Sequence, residues 1–305
     1  MKQTLVGCVI AAFGRHLIVR AHDGRQLKAR PFGRALGAVC GDEVRCSLDA
    51  HHEEVHVVEV LPRRSALWRA NRRGGAEAVA ANLTQLVVVL APLPAPDLFV
   101  ADRYLCAASA AGMLATLIVN KSDLPADPTL AAELGAYAQA GYAALTCSAA
   151  NDSGIDALRA ALVPGARSAL VGQSGVGKSS LVRRLVPQAQ VEIGALVREE
   201  EGRHTTTASR LFELANGAAL IDSPGVRDFV PAVEALDERT LGFPEVQQLA
   251  PGCRFADCRH MREPSCAVRA AVESGALHPR RYESYRRLRR LREELTAARG
   301  PQRAR

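Results

Sequence analysis

The segment Gly172-Gln-Ser-Gly-Val-Gly-Lys178-Ser179 decides the fold of this 305-residue chain. It matches the pattern G-x-x-x-x-G-K-[ST] and lies between a strand-like run, RSALV, and a helix-like run, SSLVRRLV. Glycines let backbone amides face phosphate groups there, and the helix start adds its positive end. The segment predicts a phosphate-binding loop in which Lys178 reaches the β- and γ-phosphates and Ser179 binds Mg²⁺. The predicted contacts are Gly172, Gln173, Ser174, Gly175, Val176, Gly177, Lys178, Ser179 and Ser180.

Three shorter motifs indicate the same kind of site. N-K-x-D occupies 120–123 after the run LATLIV, S-A occupies 148–149, and D-x-x-G occupies 222–225 after the run AALI. Alone, N-K-x-D or D-x-x-G is better explained as a turn at a strand end. Together with the phosphate-binding loop, they predict one nucleotide site. The additional residues predicted to contact the nucleotide are Asn120, Lys121, Ser122, Asp123, Ser148, Ala149, Asp222 and Gly225.

The N-K-x-D motif predicts which base is bound. The Asp123 carboxylate can accept hydrogen bonds from guanine N1–H and from the guanine 2-amino group. Adenine offers neither donor, so ATP would leave a buried carboxylate unpaired. Ser148 and Ala149 could set backbone amides against guanine O6. The predicted nucleotides are therefore GTP and GDP.

The order of the motifs is unusual. In an ordinary Ras-like GTPase, the motifs follow one another along the chain in the order phosphate loop, switch threonine, D-x-x-G, N-K-x-D and S-A. Here N-K-x-D and S-A precede the phosphate loop, the threonines at 205–207 and D-x-x-G. Strand pairing does not depend on where the termini fall, so the same sheet can form from a circularly permuted chain. In this order the D-x-x-G segment leads directly into the carboxyl-terminal region.

The surrounding pattern predicts an α/β fold with three domains. Continuous apolar runs such as LVVVL at 86–90 alternate with helical stretches, which is typical of a doubly wound parallel sheet. Five short strand-like runs in the first 60 residues predict an OB-type β-barrel, with an SH3-like barrel as the alternative. Pro62-Arg63-Arg64 reads as a linker, and β–α alternation is expected from Ala66 onward. The expected domains are 1–62, 63–231 and 232–305, the last being zinc-binding and helical.

Charge indicates the class of partner. The chain carries a formal net charge of +7, and the ten arginines and three glutamates of 277–305 account for all of it. A second basic concentration lies between Gly14 and Arg34. This stretch contains one acidic residue, Asp23, and six basic ones: Arg15, Arg20, Arg25, Lys28, Arg30 and Arg34. The tail alone could be a solvated face. Two cationic regions at opposite ends of the chain favour a polyanion such as RNA.

A cysteine cluster indicates a metal. Cys253, Cys258, His260 and Cys266 offer three thiolates and one imidazole, a set that suits a closed, structural Zn²⁺ site. The alternative is three buried or oxidisable thiols beside an exposed histidine. The other five cysteines lie in apolar or strand-like surroundings, where buried free thiols are expected. No apolar run approaches the roughly 20 residues that a membrane span needs, so we expect a cytoplasmic protein without a membrane partner.

These features resemble the RsgA (YjeQ/EngC) family of small-ribosomal-subunit biogenesis GTPases. The resemblance rests on GQSGVGKSS, GRHTTT at 202–207, DSPG, the early NKSD, the barrel and the cysteine cluster, and it covers nearly the whole chain. It implies late maturation of the small subunit, rRNA binding, hydrolysis stimulated by that subunit, and zinc at the C-x4-C-x-H-x5-C pattern. One departure is Ser223, where family members often carry threonine; its side chain is not expected to do chemistry.

Catalysis is predicted to be weak without a partner. The residue after D-x-x-G is a water-orienting glutamine in Ras-like enzymes, and here it is Val226. His204 is the candidate replacement, with Arg203 or a partner residue as alternatives, and His204 could instead simply pack in its loop. Thr205 or Thr206 is expected to join Ser179 at Mg²⁺.

The first hypothesis is thus a monomeric GTPase that matures the small ribosomal subunit. The alternatives are a permuted GTPase serving the large subunit or another RNA assembly, and an RNA-binding module that holds GTP as a structural ligand.

Overall fold

The computed structural model describes residues 3–13, 16–33, 36–49, 54–70, 76–186, 209–223, 232–233 and 236–299. Its strands are β1 (Gln3–Phe13), β2 (His16–Ala21), β3 (Gln26–Pro31), β4 (Glu43–Asp49), β5 (Glu54–Val60), β6 (Ala66–Ala70), β7 (Ala76–Ala81), β8 (Gln85–Leu90), β9 (Leu114–Val119), β10 (Ala144–Thr146), β11 (Arg167–Val171), β12 (Ser209–Glu213) and β13 (Ala219–Asp222). Its α-helices are α1 (Leu98–Ala110), α2 (Pro128–Gln139), α3 (Ile155–Ala161), α4 (Lys178–Leu185), α5 (Pro244–Leu249), α6 (Ala267–Glu273) and α7 (Pro279–Arg299).

The amino-terminal strands close into a barrel. Their order is β1-β2-β3-β5-β4, and β4 pairs back onto β1; only the β3–β5 pairing is parallel. Val9, Val19, Val44 and Val57 fill the interior, because alternate residues of each strand point inward. This arrangement confirms the predicted OB-type barrel.

The central sheet runs β10-β9-β8-β11-β13-β12, parallel except for β12. One face packs against α1 and α2 through residues such as Leu105 and Tyr137, and the other packs against α3 and α4 through residues such as Leu158 and Leu181. The predicted doubly wound sheet is therefore confirmed. β12 was not predicted: it pairs with β13 on one side and with β1 of the barrel on the other.

The start of β–α alternation was predicted wrongly. Strands β6 and β7 pair antiparallel as a separate two-stranded sheet, so alternation begins only at β8. The run AEAVAA of β7 is too rich in alanine to give a strand signal. The supposed linker is also held in place, because Arg63 donates to both carboxylate oxygens of the buried Asp42 at 2.7 and 2.8 Å.

The carboxyl-terminal region is helical in its described part. Its core includes Phe243, Val268, Tyr285 and Leu288, and the long α7 confirms the arginine-rich helix predicted there. Three of the tail arginines are internal rather than solvated. Arg281 and Arg289 are 1% and 3% exposed, and Arg280 pairs with Asp102 of α1. Among the described residues, no helix is long and apolar enough to cross a membrane.

Candidate functional site

The predicted phosphate loop connects β11 to α4. Gly172 has φ +146°, and a Cβ there would lie 2.3 Å from the Val89 carbonyl oxygen. Gly177 has φ +94°, and a Cβ there would lie 2.3 Å from Asn120 Nδ2. Both positions therefore require glycine, for backbone conformation and for space. The glycine spacing that defines the motif is fixed by this packing as well as by what a phosphate would need.

Lys178 is 6% exposed and turns back over the loop. Its Nζ donates to the carbonyl oxygens of Gly172 at 2.7 Å and Gln173 at 2.8 Å. The loop thus holds the ammonium group against its own carbonyl oxygens, beside the start of α4. Ser179 and Ser180 are half-buried on the first turn of that helix, whereas Ser174 and Gly175 are exposed. A cation, two hydroxyls and a helix start are thereby close together in the chain at this loop, a combination that suits a polyphosphate.

Asn120 joins the three predicted motifs physically. Its Nδ2 donates to the Val176 carbonyl at 2.8 Å, and its Oδ1 accepts from the Ala149 amide at 3.1 Å. The side chain is 1% exposed, so both bonds are shielded from water. N-K-x-D, S-A and the phosphate loop are therefore brought together by one residue, although they lie far apart along the chain.

Asp123 is oriented by its neighbour across the site. Ser148 Oγ donates to Asp123 Oδ1, and the same hydroxyl accepts from the Ala150 amide at 3.1 Å. Ser122 donates its amide to the Cys147 carbonyl at 3.0 Å, which fixes the two loops side by side. Asp123 itself is exposed, so its carboxylate is accessible to a ligand.

Asp222 is the last residue of β13 and lies directly opposite Arg210 of β12. It ends a parallel strand at the same sheet edge as Asn120, Thr146 and Gly172. The other residues predicted for catalysis, Mg²⁺ and the γ-phosphate lie outside the described residues: His204, Thr205, Thr206 and Gly225, and also the alternative Arg203. Val226, which replaces the water-orienting glutamine of Ras-like enzymes, lies outside them too.

One side of the site, the loop after β8, was not predicted from the sequence. The loop at 91–97 follows β8 and packs on the phosphate loop: the Asp97 amide donates to Gln173 Oε1 at 2.9 Å, and Pro94 lies 3.3 Å from where a Cβ of Gly175 would be. Lys121 Nζ donates to the Leu93 carbonyl at 2.7 Å. A signal was present, because proline-rich residues follow a buried strand at the binding edge of the sheet.

The carboxyl ends of β8, β9, β10, β11 and β13 thus converge on one phosphate- and base-binding arrangement. That geometry, with its motifs in permuted order, defines a P-loop nucleotide-binding protein of the circularly permuted GTPase class.

Comparison with known proteins agrees with this class. The RsgA GTPase family matches residues 60–230. A protein of Azotobacter vinelandii named small ribosomal subunit biogenesis GTPase RsgA is 41% identical over 298 residues, covering 92% of this chain and 84% of that protein. Its namesake in Chromohalobacter salexigens is 43% identical over 292 residues, covering 93% and 85%. The chain belongs to the RsgA GTPase family and is a GTP hydrolase.

Two solved structures share the fold. YjeQ from Thermotoga maritima superimposes with a TM-score of 0.73 at 25% identity, covering 95% of this chain and 99% of that one. YloQ, described as a circularly permuted GTPase, superimposes with a TM-score of 0.71 at 22% identity, covering 99% and 98%. The overall similarity spans the barrel, the central sheet and the carboxyl-terminal region.

The cysteine cluster forms a second site. The ligand atoms of Cys253, Cys258, His260 and Cys266 all lie within 4.8 Å of one another. Cys253 Sγ lies 3.9 Å from Cys266 Sγ, and His260 Nδ1 lies 3.4 and 3.5 Å from these two sulfurs. Tetrahedral zinc with ordinary bond lengths would place sulfurs roughly 3.8 Å apart and sulfur and nitrogen roughly 3.6 Å apart. The donor set therefore fits a closed four-ligand metal centre.

His260 is in the state that such a centre requires. Burial, together with the positive charges of the nearby Arg239 and Arg289, lowers the pKa of His260 to about 4. The imidazole is consequently neutral at neutral pH, the form that binds a metal. Tyr282 Oη donates to the His260 carbonyl at 2.7 Å, so α7 supports the backbone of the cluster.

Proposed function

We propose that this chain is a late assembly factor of the small ribosomal subunit, which hydrolyses GTP to GDP and phosphate and is stimulated by that subunit. The relatives at 41% and 43% identity are named small ribosomal subunit biogenesis GTPases, which supports the subunit and the reaction. The observation that carries the proposal here is β12, which pairs with β13 of the nucleotide sheet and with β1 of the barrel. Nucleotide binding and a barrel of an oligonucleotide-binding type thereby share one continuous sheet.

The residue roles follow from the chemistry of the site. Lys178 would neutralise charge on the β- and γ-phosphates, while Asp123, oriented by Ser148, would accept from guanine N1–H and the 2-amino group. Ser179, with Thr205 or Thr206 and Asp222, would hold Mg²⁺, which when bound neutralises charge on the phosphates. Asn120 would keep the base-binding loops and the phosphate loop in register.

Hydrolysis by the isolated protein is proposed to be slow. Val226 cannot orient a water molecule, so another group must orient the attacking water. We assign it to His204, which adjoins the threonines proposed for Mg²⁺. Partner binding would bring that imidazole to the attacking water.

The rRNA surface is proposed from exposed cations. Arg25, Lys28 and Arg30 of the barrel are exposed, as are Arg287 and Arg290 of α7. Arg281 and Arg289 are buried, so they belong to the fold and do not contribute to this surface. Phosphate contacts from the exposed set would give salt-dependent binding.

The Cys253, Cys258, His260 and Cys266 centre is proposed to hold one structural zinc ion. All four positions would be filled by protein ligands, which leaves none for a substrate. We further propose a cytoplasmic monomer with domains at 1–62, 63–231 and 232–305.

The test is single-turnover GTP hydrolysis by the full chain alone, with small subunits, and with large subunits. Strong stimulation by small subunits alone supports the proposal. Stimulation by large subunits instead would favour the second assembly role. Slow hydrolysis unaffected by either subunit would indicate an RNA-binding module that holds GTP as a structural ligand. Repeating the small-subunit reaction with Lys178→Ala controls for contaminating GTPases.

A further inference from the structure

Two serine hydroxyls meet where β12 and β13 reach the nucleotide edge of the sheet. Ser209 Oγ donates to Ser223 Oγ at 2.7 Å, and Ser223 is 2% exposed. Ser209 is the first residue of β12, and Ser223 directly follows Asp222, the last residue of β13. The bond therefore closes the two strands at the point where Asp222 enters the site.

The strand register explains why these two hydroxyls meet. Arg210 lies opposite Asp222 in the antiparallel β12–β13 pair, so the next position along places Ser209 opposite Ser223. Ser209 also lies opposite Ala12 of β1. Side chains directly opposite in an antiparallel pair lie on the same face and within contact distance. The hydroxyl pair consequently extends the strand pairing by one position, next to the barrel.

Alternation along β13 connects this pair to Asp222. Leu220 packs in the cluster that contains Leu181 of α4, whereas Ile221 packs in the cluster on the α1 side. Because successive side chains of a strand point to opposite faces, Asp222 points to the α4 side and Ser223 to the α1 side. Fixing Ser223 on one face thereby fixes the direction of the Asp222 carboxylate on the other, the side where α4 begins with Lys178 and Ser179.

We propose that Ser209 and Ser223 are positioning residues for GTP hydrolysis, whose hydroxyl pair holds Asp222 in the orientation that serves the magnesium-bound nucleotide. This inference rests on the proposed assignment of Asp222 to magnesium. It gives a role to a side chain within D-x-x-G that the motif leaves unspecified.

The test covers Ser209→Ala, Ser223→Ala, the double variant and Ser223→Thr. For each variant it measures the Mg²⁺ concentration that half-saturates binding of a fluorescent GTP analogue, and GTP hydrolysis at the same Mg²⁺ concentrations. Each alanine variant should raise the half-saturating Mg²⁺ concentration and lower kcat on the order of fivefold to tenfold, the factor one such hydrogen bond contributes. KM for GTP at saturating Mg²⁺ should change less than twofold or so, because the base and phosphate-loop contacts are intact. The double variant should lose no more of its kcat than either single alanine variant does. Ser223→Thr keeps the hydroxyl, so it should keep the wild-type Mg²⁺ dependence.

Ser168→Ala is the matched control. Ser168 is a buried serine of the neighbouring strand β11 whose Oγ donates to Gln85 Oε1 at 2.8 Å, at the opposite edge of the sheet. It should lose stability yet keep the wild-type Mg²⁺ dependence. Wild-type Mg²⁺ dependence in Ser209→Ala or Ser223→Ala, or an equal shift in Ser168→Ala, overturns the inference.

Asp222→Ala separates this inference from the assignment beneath it. If that variant shifts the Mg²⁺ dependence while the serine variants do not, the positioning role of the serines is wrong and the assignment of Asp222 to magnesium stands. If Asp222→Ala leaves the Mg²⁺ dependence unchanged, the assignment of Asp222 to magnesium is wrong, and so is the positioning role of the two serines.

Discussion

Asp102 of α1 and Arg281 of α7 form an ion pair in which each side chain is 1% exposed, with Nη1 and Oδ1 2.5 Å apart. Arg281 also binds both carboxylate oxygens of Glu245 at 2.6 and 3.0 Å, and Arg280 donates to the second oxygen of Asp102 at 2.7 Å. Burial lowers the pKa of Arg281, but Asp102 and Glu245 more than offset this, so its pKa lies above the ordinary value. The pair joins the helix behind the nucleotide site to the helix that supports the cysteine cluster.

Asp102→Asn should therefore destabilise the protein strongly. The substitution leaves Arg281 with Glu245 and Arg280 with Glu133 but removes the carboxylate that they share. Removing one partner of a buried ion pair typically costs about 3–5 kcal/mol, and we expect a loss toward the lower end of that range. Urea unfolding followed by far-UV circular dichroism would measure the loss.

Asp156→Asn is the surface control for that experiment. Asp156 pairs with Arg159 on α3, but its side chain is 97% exposed. A pair of this kind contributes about 0–1 kcal/mol. Equal losses in the two variants would contradict a structural role for the Asp102–Arg281 contact.

Nucleotide choice gives the second prediction. GTP and GDP should bind with Kd in the micromolar range, and ATP should not compete, because a site built around guanine donors can discriminate by ~10⁴. Asp123→Asn should shift preference toward xanthosine nucleotides, since the amide offers a donor to the 2-oxo group. Competition binding with fluorescent GDP measures both effects. Displacement of GDP by equimolar ATP in the wild type would show that the guanine assignment is wrong.

Metal content gives the third prediction. The wild type, purified without added zinc, should contain about one zinc per chain, because three thiolates and one imidazole complete the coordination. Cys258→Ser should lose the metal and loosen α6 and α7, with nucleotide binding nearly intact. Elemental analysis and hydrogen exchange provide the readouts.

Cys46→Ser is the control for the metal experiment. Cys46 is a fully buried thiol in the barrel interior, away from the cluster. This variant should retain zinc even if it is less stable. A folded wild-type protein without metal would contradict the assignment of zinc to the cysteine cluster.

Local sequence predicted the parts of the fold that depend on local patterns. LVVVL and LATLIV are continuous apolar runs and became buried parallel strands, and the glycine spacing at 172–177 was dictated by φ and by contacts with Val89 and Asn120. The closed barrel was predictable because its strands alternate and are separated by turn residues.

Contacts between distant residues were not predictable in the same way. Arg281 looks like one more basic residue of a charged tail until Asp102, 179 positions earlier, is placed against it. The β6–β7 strand pair was missed because alanine-rich strands carry little β preference, and its pairing depends on surroundings that the run itself does not encode. Ser223 was set aside for the same reason, since its partner Ser209 is apparent only from the strand register.

The last prediction concerns partner-stimulated hydrolysis. Val226 cannot replace the water-orienting glutamine of Ras-like enzymes, so we expect the free protein to turn over at about 10⁻⁴ to 10⁻² per second, as unassisted Ras-like proteins do. Small subunits should raise this rate, and high salt should suppress the increase because it weakens phosphate contacts. His204→Ala should keep GTP binding and subunit binding but lose the stimulated rate, with Arg203→Ala as the neighbouring control. Stopped-flow phosphate release at low and high salt measures both effects. Full stimulation of His204→Ala would remove His204 from the mechanism and make Arg203 or a ribosomal group the better candidate.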